Sequence, residues 1–286
     1  MNHFREKFMK YVFLLAAIAT VGAVILICVF LFSGGIPAMA KIGFFDFLLG
    51  KDWKPSNIPP SFGILPMIVG SFMITGGAIL FGVPIGILTA VFMSHYCPAK
   101  PYRVLKPGVE LLAGIPSVVY GFFGLVVLVP LVRAYLPGNG SSIFTAALLL
   151  GIMILPTIMG VSEAAIRAVP GQYYEGALAL GATKERAIFS TVLPAAKSGI
   201  LAGVVLGIGR AIGETMAVIM VAGNQARMPE GIFQGIRTMT ANIVLEMGYA
   251  ADLHREALIA TGVILFIFIL LINFTFQILK RRMNKE

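Results

Sequence analysis

The 286-residue chain is 58% hydrophobic and only 12% charged, against roughly 45–50% and about 25% in ordinary soluble domains, which excludes a soluble globular protein. Six spans of about 20 residues each fit this length as one polytopic domain without a large soluble attachment. The net charge of +9 sits beside and between apolar runs rather than in a patch with interleaved aromatics, so it reflects membrane topology and not a nucleic-acid partner.

Charge-free runs locate the helices, because an unpaired charge in hydrocarbon is costly. The first run, 11–33, follows Arg5, Lys7 and Lys10. Ala38-Met39-Ala40 imitates a cleavage site, but the run exceeds the roughly 7–15 apolar residues of a signal-peptide core, so it is expected to remain as a span. The second lies between Lys54 and Lys100, with a helix starting near Gly63, bent at Pro84 and ending at His95. Runs at 111–132, 134–162 and 257–279 add three more. The remaining candidate, 199–223, is apolar apart from Arg210 and Glu214 and is kept as the fifth span in chain order. The expected class is an all-α integral membrane protein with six transmembrane helices.

Alternating these spans places fourteen Lys and Arg residues on the side of the two termini and seven on the other, with Arg210 within the membrane. The positive-inside rule then puts both termini in the cytoplasm. Cys28 and Cys97 have no metal-ligand spacing and are too few for a disulfide framework.

The loop between the fourth and fifth spans predicts two short helices. Pro170 starts the first, Gly181 ends it in a left-handed cap, Thr183 caps the second, and Pro194 precedes the next span. Tyr173 and Tyr174 open the first helix. Such a helix either fits a groove on a cytoplasmic partner or merely joins two spans.

Within this loop, Glu175-Gly176-Ala177, then Gly181, then Leu193-Pro194 resembles the EAA loop of ABC importer permeases in spacing. Gly176 stands where the pattern has alanine and Thr191 where it has isoleucine. Two further segments strengthen the resemblance: Gly114-Ile115-Pro116-Ser117-Val118-Val119-Tyr120-Gly121, and the stretch from Gly209 to Val218 followed by Ala222-Gly223-Asn224. Together they are similar to phosphate-importer permeases.

The resemblance implies a type I ABC importer permease fold in a prokaryotic plasma (inner) membrane. It divides the chain into an N-terminal helix and outer loop (1–62), a transmembrane domain (63–280) containing the coupling loop (about 163–195), and a basic tail (281–286). It implies a heterodimer with a related permease subunit, two ATPase subunits that use ATP and Mg, and an extracytoplasmic phosphate-binding protein. The chain itself would bind no cofactor. Tyr173, Tyr174, Glu175, Gly176, Ala177, Gly181, Leu193 and Pro194 are the expected coupling residues. The alternatives are an ABC permease for another oxyanion or small solute, and an ion-coupled secondary transporter.

Arg210 needs its own explanation, since arginine at a span's centre costs about 2.5–3.5 kcal/mol on insertion scales unless it faces protein or water. Glu214, four residues on, would lie on the same helical face and pair with it. The glycines at 199, 203 and 207 form a small-residue stripe, which should turn this face into the bundle or toward the partner subunit. Two roles stand open: a structural ion pair, or a pathway in which Arg210 attracts an oxyanion with its planar fork and Glu214 moderates the cation.

Other signals are weaker. Gly176 and Gly181 have phosphate-loop spacing, but Ala182-Thr183-Lys184 follows where Lys and Ser/Thr are required, so the chain should not hydrolyse ATP. The segment 231–248 reads as an amphipathic helix with Arg237 and Glu246 exposed, and the three histidines at 3, 95 and 254 are scattered.

Overall fold

The computed structural model describes residues 2–283, with side chains over 5–278; residues 284–286 of the expected basic tail lie outside the described residues. Among those residues, six helices are long and apolar enough to cross a membrane. In chain order the elements are α1 (Asn2–Ile42), α2 (Phe44–Leu49), a two-stranded hairpin of β1 (Trp53–Lys54) and β2 (Ser61–Phe62), and α3 (Leu65–Val91), which passes through Pro84 into a π-helical turn at Phe92–Tyr96. Then come α4 (Ala99–Gly114), α5 (Ser117–Phe123), a π turn at Gly124–Leu128, α6 (Val129–Tyr135) and α7 (Ile143–Arg167). The short helices α8 (Gly171–Ala179) and α9 (Lys184–Ala187), a π turn at Ile188–Val192, α10 (Leu193–Gly213), α11 (Met216–Val221), α12 (Met239–Glu246) and α13 (Asp252–Met283) complete the described chain.

Six spans are present, but several boundaries differ from those that charge alone suggests. The third runs over Ser117–Tyr135 rather than 111–132, because Pro116 forces Ile115 into extended backbone and ends α4. The fourth begins at Ile143, after a turn with Gly138 and Gly140 at positive φ, instead of at 134. The fifth is Lys184–Gly213. Leu193 and Pro194 thus lie inside it, where Pro194, which has no N–H to donate, follows the π turn at Ile188–Val192. Residues 214–223 do not continue this span: Glu214 is extended and α11 is a separate short helix.

The centre of the bundle is α7, whose Leu149, Leu150, Met153, Ile154 and Ile158 are buried. Glycines let two neighbours approach it closely. On α3, a Cβ at Gly82 would lie 2.7 Å from Ile154, and one at Gly86 would lie 2.8 Å from Ile158. On α10, a Cβ at Gly199 would run into Ala165, one at Gly203 would lie 3.1 Å from Ser162 and one at Gly207 2.8 Å from Ile158. The small-residue stripe therefore packs on α7 of the same chain, where close backbone contact supplies the dispersion energy that lipid cannot. A second core joins Ala38, Phe47, Trp53 and Phe62 of the N-terminal segment to Ala257, Leu258 and Val263 of α13.

Candidate functional site

A backbone break lies at one end of the third span and another at one end of the fifth, four residues beyond Arg210. The break at Ile115–Pro116 separates α4 from α5, and the one at Glu214–Thr215 separates α10 from α11. α5 packs on α11, with a Cβ at Gly121 falling 2.9 Å from Ala217 and one at Gly124 falling 2.7 Å from Val221. Across the first break, Tyr120 donates its hydroxyl to the Leu112 carbonyl at 2.9 Å. Irregular backbone at membrane depth survives only where protein or a water-lined cavity satisfies it, which is why broken helices commonly border transport pathways.

Arg210 and Glu214 are not brought together. α10 ends at Gly213, so the helical register that would align the two is lost one residue before Glu214. The Glu214 carboxylate turns to α11, accepting from the backbone N–H groups of Thr215 at 3.1 Å and Ala217 at 3.2 Å. Arg210 instead donates to the Thr157 hydroxyl of α7 at 3.3 Å, and no ion pair joins it to a carboxylate among the described residues. Its other guanidinium donors have no acceptor among those residues and are available to a ligand.

The loop between the fourth and fifth spans forms as its local sequence requires. Pro170 precedes α8, and Gly181 ends it at φ 87°. The Gly181 N–H bonds to the Leu178 carbonyl at 2.9 Å and the Ala182 N–H to that of Ala177 at 3.1 Å, closing the last turn in a Schellman arrangement. Thr183 caps α9 by accepting from the Arg186 N–H. Tyr173, Glu175 and Gly176 are exposed and Ala177 is half-buried. Tyr174 turns inward, its ring 5.7 Å from that of His95. Half-buried Leu193 packs under the loop, while Pro194 is exposed on α10. Leu180, which sequence reasoning passed over, is 91% exposed and Tyr173 is 51% exposed. This apolar surface has no cover within the chain, and only the orientation of α8 reveals it.

Two carboxylates are buried because each finds partners far away in sequence: Glu163, which the sequence does not single out, and Glu246, which it suggests is exposed. Glu163 on α7 is 2% exposed. It accepts from Tyr102 Oη at 2.6 Å, Lys106 Nζ at 2.9 Å and Arg167 Nε at 2.9 Å. The hydrogen bond to Glu163 raises both Tyr102 and Lys106 above their ordinary pKa values. On the opposite side of the bundle, Glu246 accepts from Trp53 Nε1 and His254 Nε2, each at 2.8 Å, and pairs with Arg237. The expectation of an exposed Arg237 and Glu246 is thereby corrected: α12 is short, and its last residue is drawn under Trp53 and α13. No group of three or more His, Cys, Asp or Glu side chains suited to a metal ion occurs among the described residues.

Burial disfavours the charged form of Glu246, but the hydrogen bonds from Trp53, His254 and Arg237 outweigh it, so the group titrates below its ordinary value of 4.5. Its stabilising contribution is complete above pH 4.5, where the unfolded chain is also ionised, and is lost as the pH falls from there through the lower native value. Trp53 is the single tryptophan and reports this cluster directly. Its fluorescence should show an acid transition centred below pH 4.5 that Glu246→Gln abolishes. A midpoint at or above that pH, or persistence in the variant, contradicts the assignment.

Comparison with known proteins adds an independent line. The family model described as "binding-protein-dependent transport system inner membrane component" matches residues 82–285. A probable ABC transporter permease protein, YqgH of Bacillus subtilis, is 39% identical over 90% of this chain and 86% of its own length. The phosphate transport system permease protein PstC of Mesorhizobium japonicum is 36% identical over 86% of this chain and 81% of its own. Among solved structures, a chain of a bacterial alginate ABC transporter superposes with a TM-score of 0.66 at 21% identity, covering 98% of both chains. A chain of the MetNI methionine ABC transporter gives 0.62 at 21% identity, covering 77% of this chain and 95% of that one.

Proposed function

Because the chain belongs to the binding-protein-dependent transport system inner membrane component family, we propose that it forms half of the translocation pathway of an ATP-driven phosphate importer. It is an all-α, multi-pass membrane protein with the type I ABC importer permease fold. The observation that carries the choice of phosphate is Arg210, a guanidinium in the last turn of α10 with no carboxylate partner among the described residues, beside the break at Glu214–Thr215 where the fifth span ends. A planar, permanently charged fork suits the oxygens of a tetrahedral oxyanion. Similarity to the phosphate permease of M. japonicum supports the same reading.

In this reading a related permease subunit supplies the other half of the pathway, and an extracytoplasmic phosphate-binding protein delivers substrate. Two ATPase subunits dock on α8 and hydrolyse MgATP, so the chain binds no cofactor of its own. The test is ATP-dependent uptake of labelled phosphate by liposomes holding the chain with its co-purified partners, with sulfate and arsenate as competitors. Uptake without ATP would sink the mechanism, and sulfate displacing phosphate at equal concentration would move the assignment to another oxyanion.

The orientation follows from the basic-residue asymmetry, fourteen against seven. Tags at either terminus should be reached only from the cytoplasm of intact cells, whereas a tag beside Asn224 or Asp252 should be reached from outside. External protease removing both terminal tags would reverse the assignment.

A further inference from the structure

How movement of the docking helix reaches the break that precedes the third span is not explained by chain connectivity, since α8 is joined covalently to α7 and α9 but not to α4. Non-covalent contacts make the link. The Tyr174 ring of α8 lies against His95 with centroids 5.7 Å apart and planes tilted by 57°, and Lys184 Nζ of α9 lies 4.7 Å from the Tyr96 ring centroid. Both aromatic partners belong to the π turn Phe92–Tyr96, whose Met93 carbonyl accepts from Arg167 Nη2 at 2.8 Å. Arg167 bonds to Glu163 and covers the Tyr102 ring at 4.6 Å. Tyr102 and Lys106, both on α4, complete the ring of donors around Glu163.

The composition of α4 makes this cluster decisive. None of its side chains is buried, so no apolar core within the chain holds it to the bundle. Besides the Tyr120 bond to the Leu112 carbonyl at its far end, what ties it to α7 is one carboxylate with two donors from α4 and one from its own helix. Such bonds are directional and weaken steeply when geometry shifts, whereas apolar contacts slide. The far end of α4 is the break at Ile115–Pro116, beside which α5 packs on α11.

We propose that Glu163 is a positioning residue for transport, a latch that ties α4 to α7 and, through Arg167 and the π turn, to the docking helix. Displacement of α8 then moves the break that precedes the third span through this cluster. The proposal rests on the reading of α8 as the ATPase-docking helix.

The test uses the full-length chain carrying Glu163→Gln, Lys106→Met or Lys106→Arg. Lys106→Met leaves Glu163 with Tyr102 and Arg167, so it decides the matter if Glu163→Gln fails to insert. Hydrogen exchange on the permease without its ATPase reads the latch alone. Amides of 99–114 should exchange about tenfold faster in Lys106→Met and Glu163→Gln, and at the wild-type rate in Lys106→Arg. In the assembled complex, ATPase binding should persist while phosphate taken up per ATP hydrolysed falls about tenfold in the same two variants and recovers in Lys106→Arg. Unchanged exchange overturns the latch. Faster exchange with unchanged uptake per ATP overturns its coupling role alone. A wild-type complex lacking ATP-driven uptake overturns the functional reading and the coupling role with it, while the exchange experiment still judges the tie between α4 and α7.

Discussion

On the proposed pathway role, Arg210→Gln will cut ATP-dependent phosphate uptake by about tenfold or more without lowering the yield of assembled complex, because the variant would remove a charge-assisted contact to substrate. Folding loses little, since the only hydrogen bond that Arg210 makes among the described residues is the 3.3 Å contact to Thr157, which a glutamine amide can replace. Arg210→Lys should recover part of the rate, keeping the charge but not the two-pronged geometry. An ion pair with Glu214 predicts that adding Glu214→Gln to Arg210→Gln restores uptake, since a lone buried charge would be relieved. The structure predicts no rescue, because Glu214 serves the amides of Thr215 and Ala217. Glu214→Gln keeps an acceptor oxygen for those amides and loses only the charge at the helix N-terminus, a cost of about 0.3–1 kcal/mol. Uptake restored in the double variant would place the two charges together in the working complex and remove Arg210 from the pathway.

Leu180→Asp will release the ATPase. Covering an exposed leucine side chain is worth about 1.5–3 kcal/mol, so losing it and burying a carboxylate instead should weaken association by about tenfold or more. Leu180 is 91% exposed, so the permease alone should insert normally. Glu175→Arg, a charge reversal on the same exposed helix, should act in the same direction through electrostatic complementarity. Gly181→Leu tests a different cause. Its Cβ would meet nothing within 4 Å, but the backbone stands at φ 87°, where an L-residue costs about 1–2 kcal/mol. The expected result is a loosened end of α8 and fewer ATP molecules hydrolysed productively, with no steric block. ATPase recovered in normal amounts with Leu180→Asp would return this loop to the status of a connector.

The sequence by itself determined the features that depend on near neighbours. Six spans were legible because hydrocarbon excludes unpaired charge, and the caps of the docking loop were legible because Pro170, Gly181 and Thr183 act on the backbone within a few residues. The tertiary structure decided everything that depends on distant partners. Glu163 is 61 residues from Tyr102, and Glu246 is 193 residues from Trp53, so neither carboxylate announces its burial locally. The glycine stripe of α10 showed that some helix lies close, but only packing showed that this helix is α7. Most sharply, Arg210 and Glu214 stand four apart and read as a helical pair, yet the helix ends between them. A spacing places two side chains on one face only while the backbone keeps its register, and whether it does is set by what packs against it.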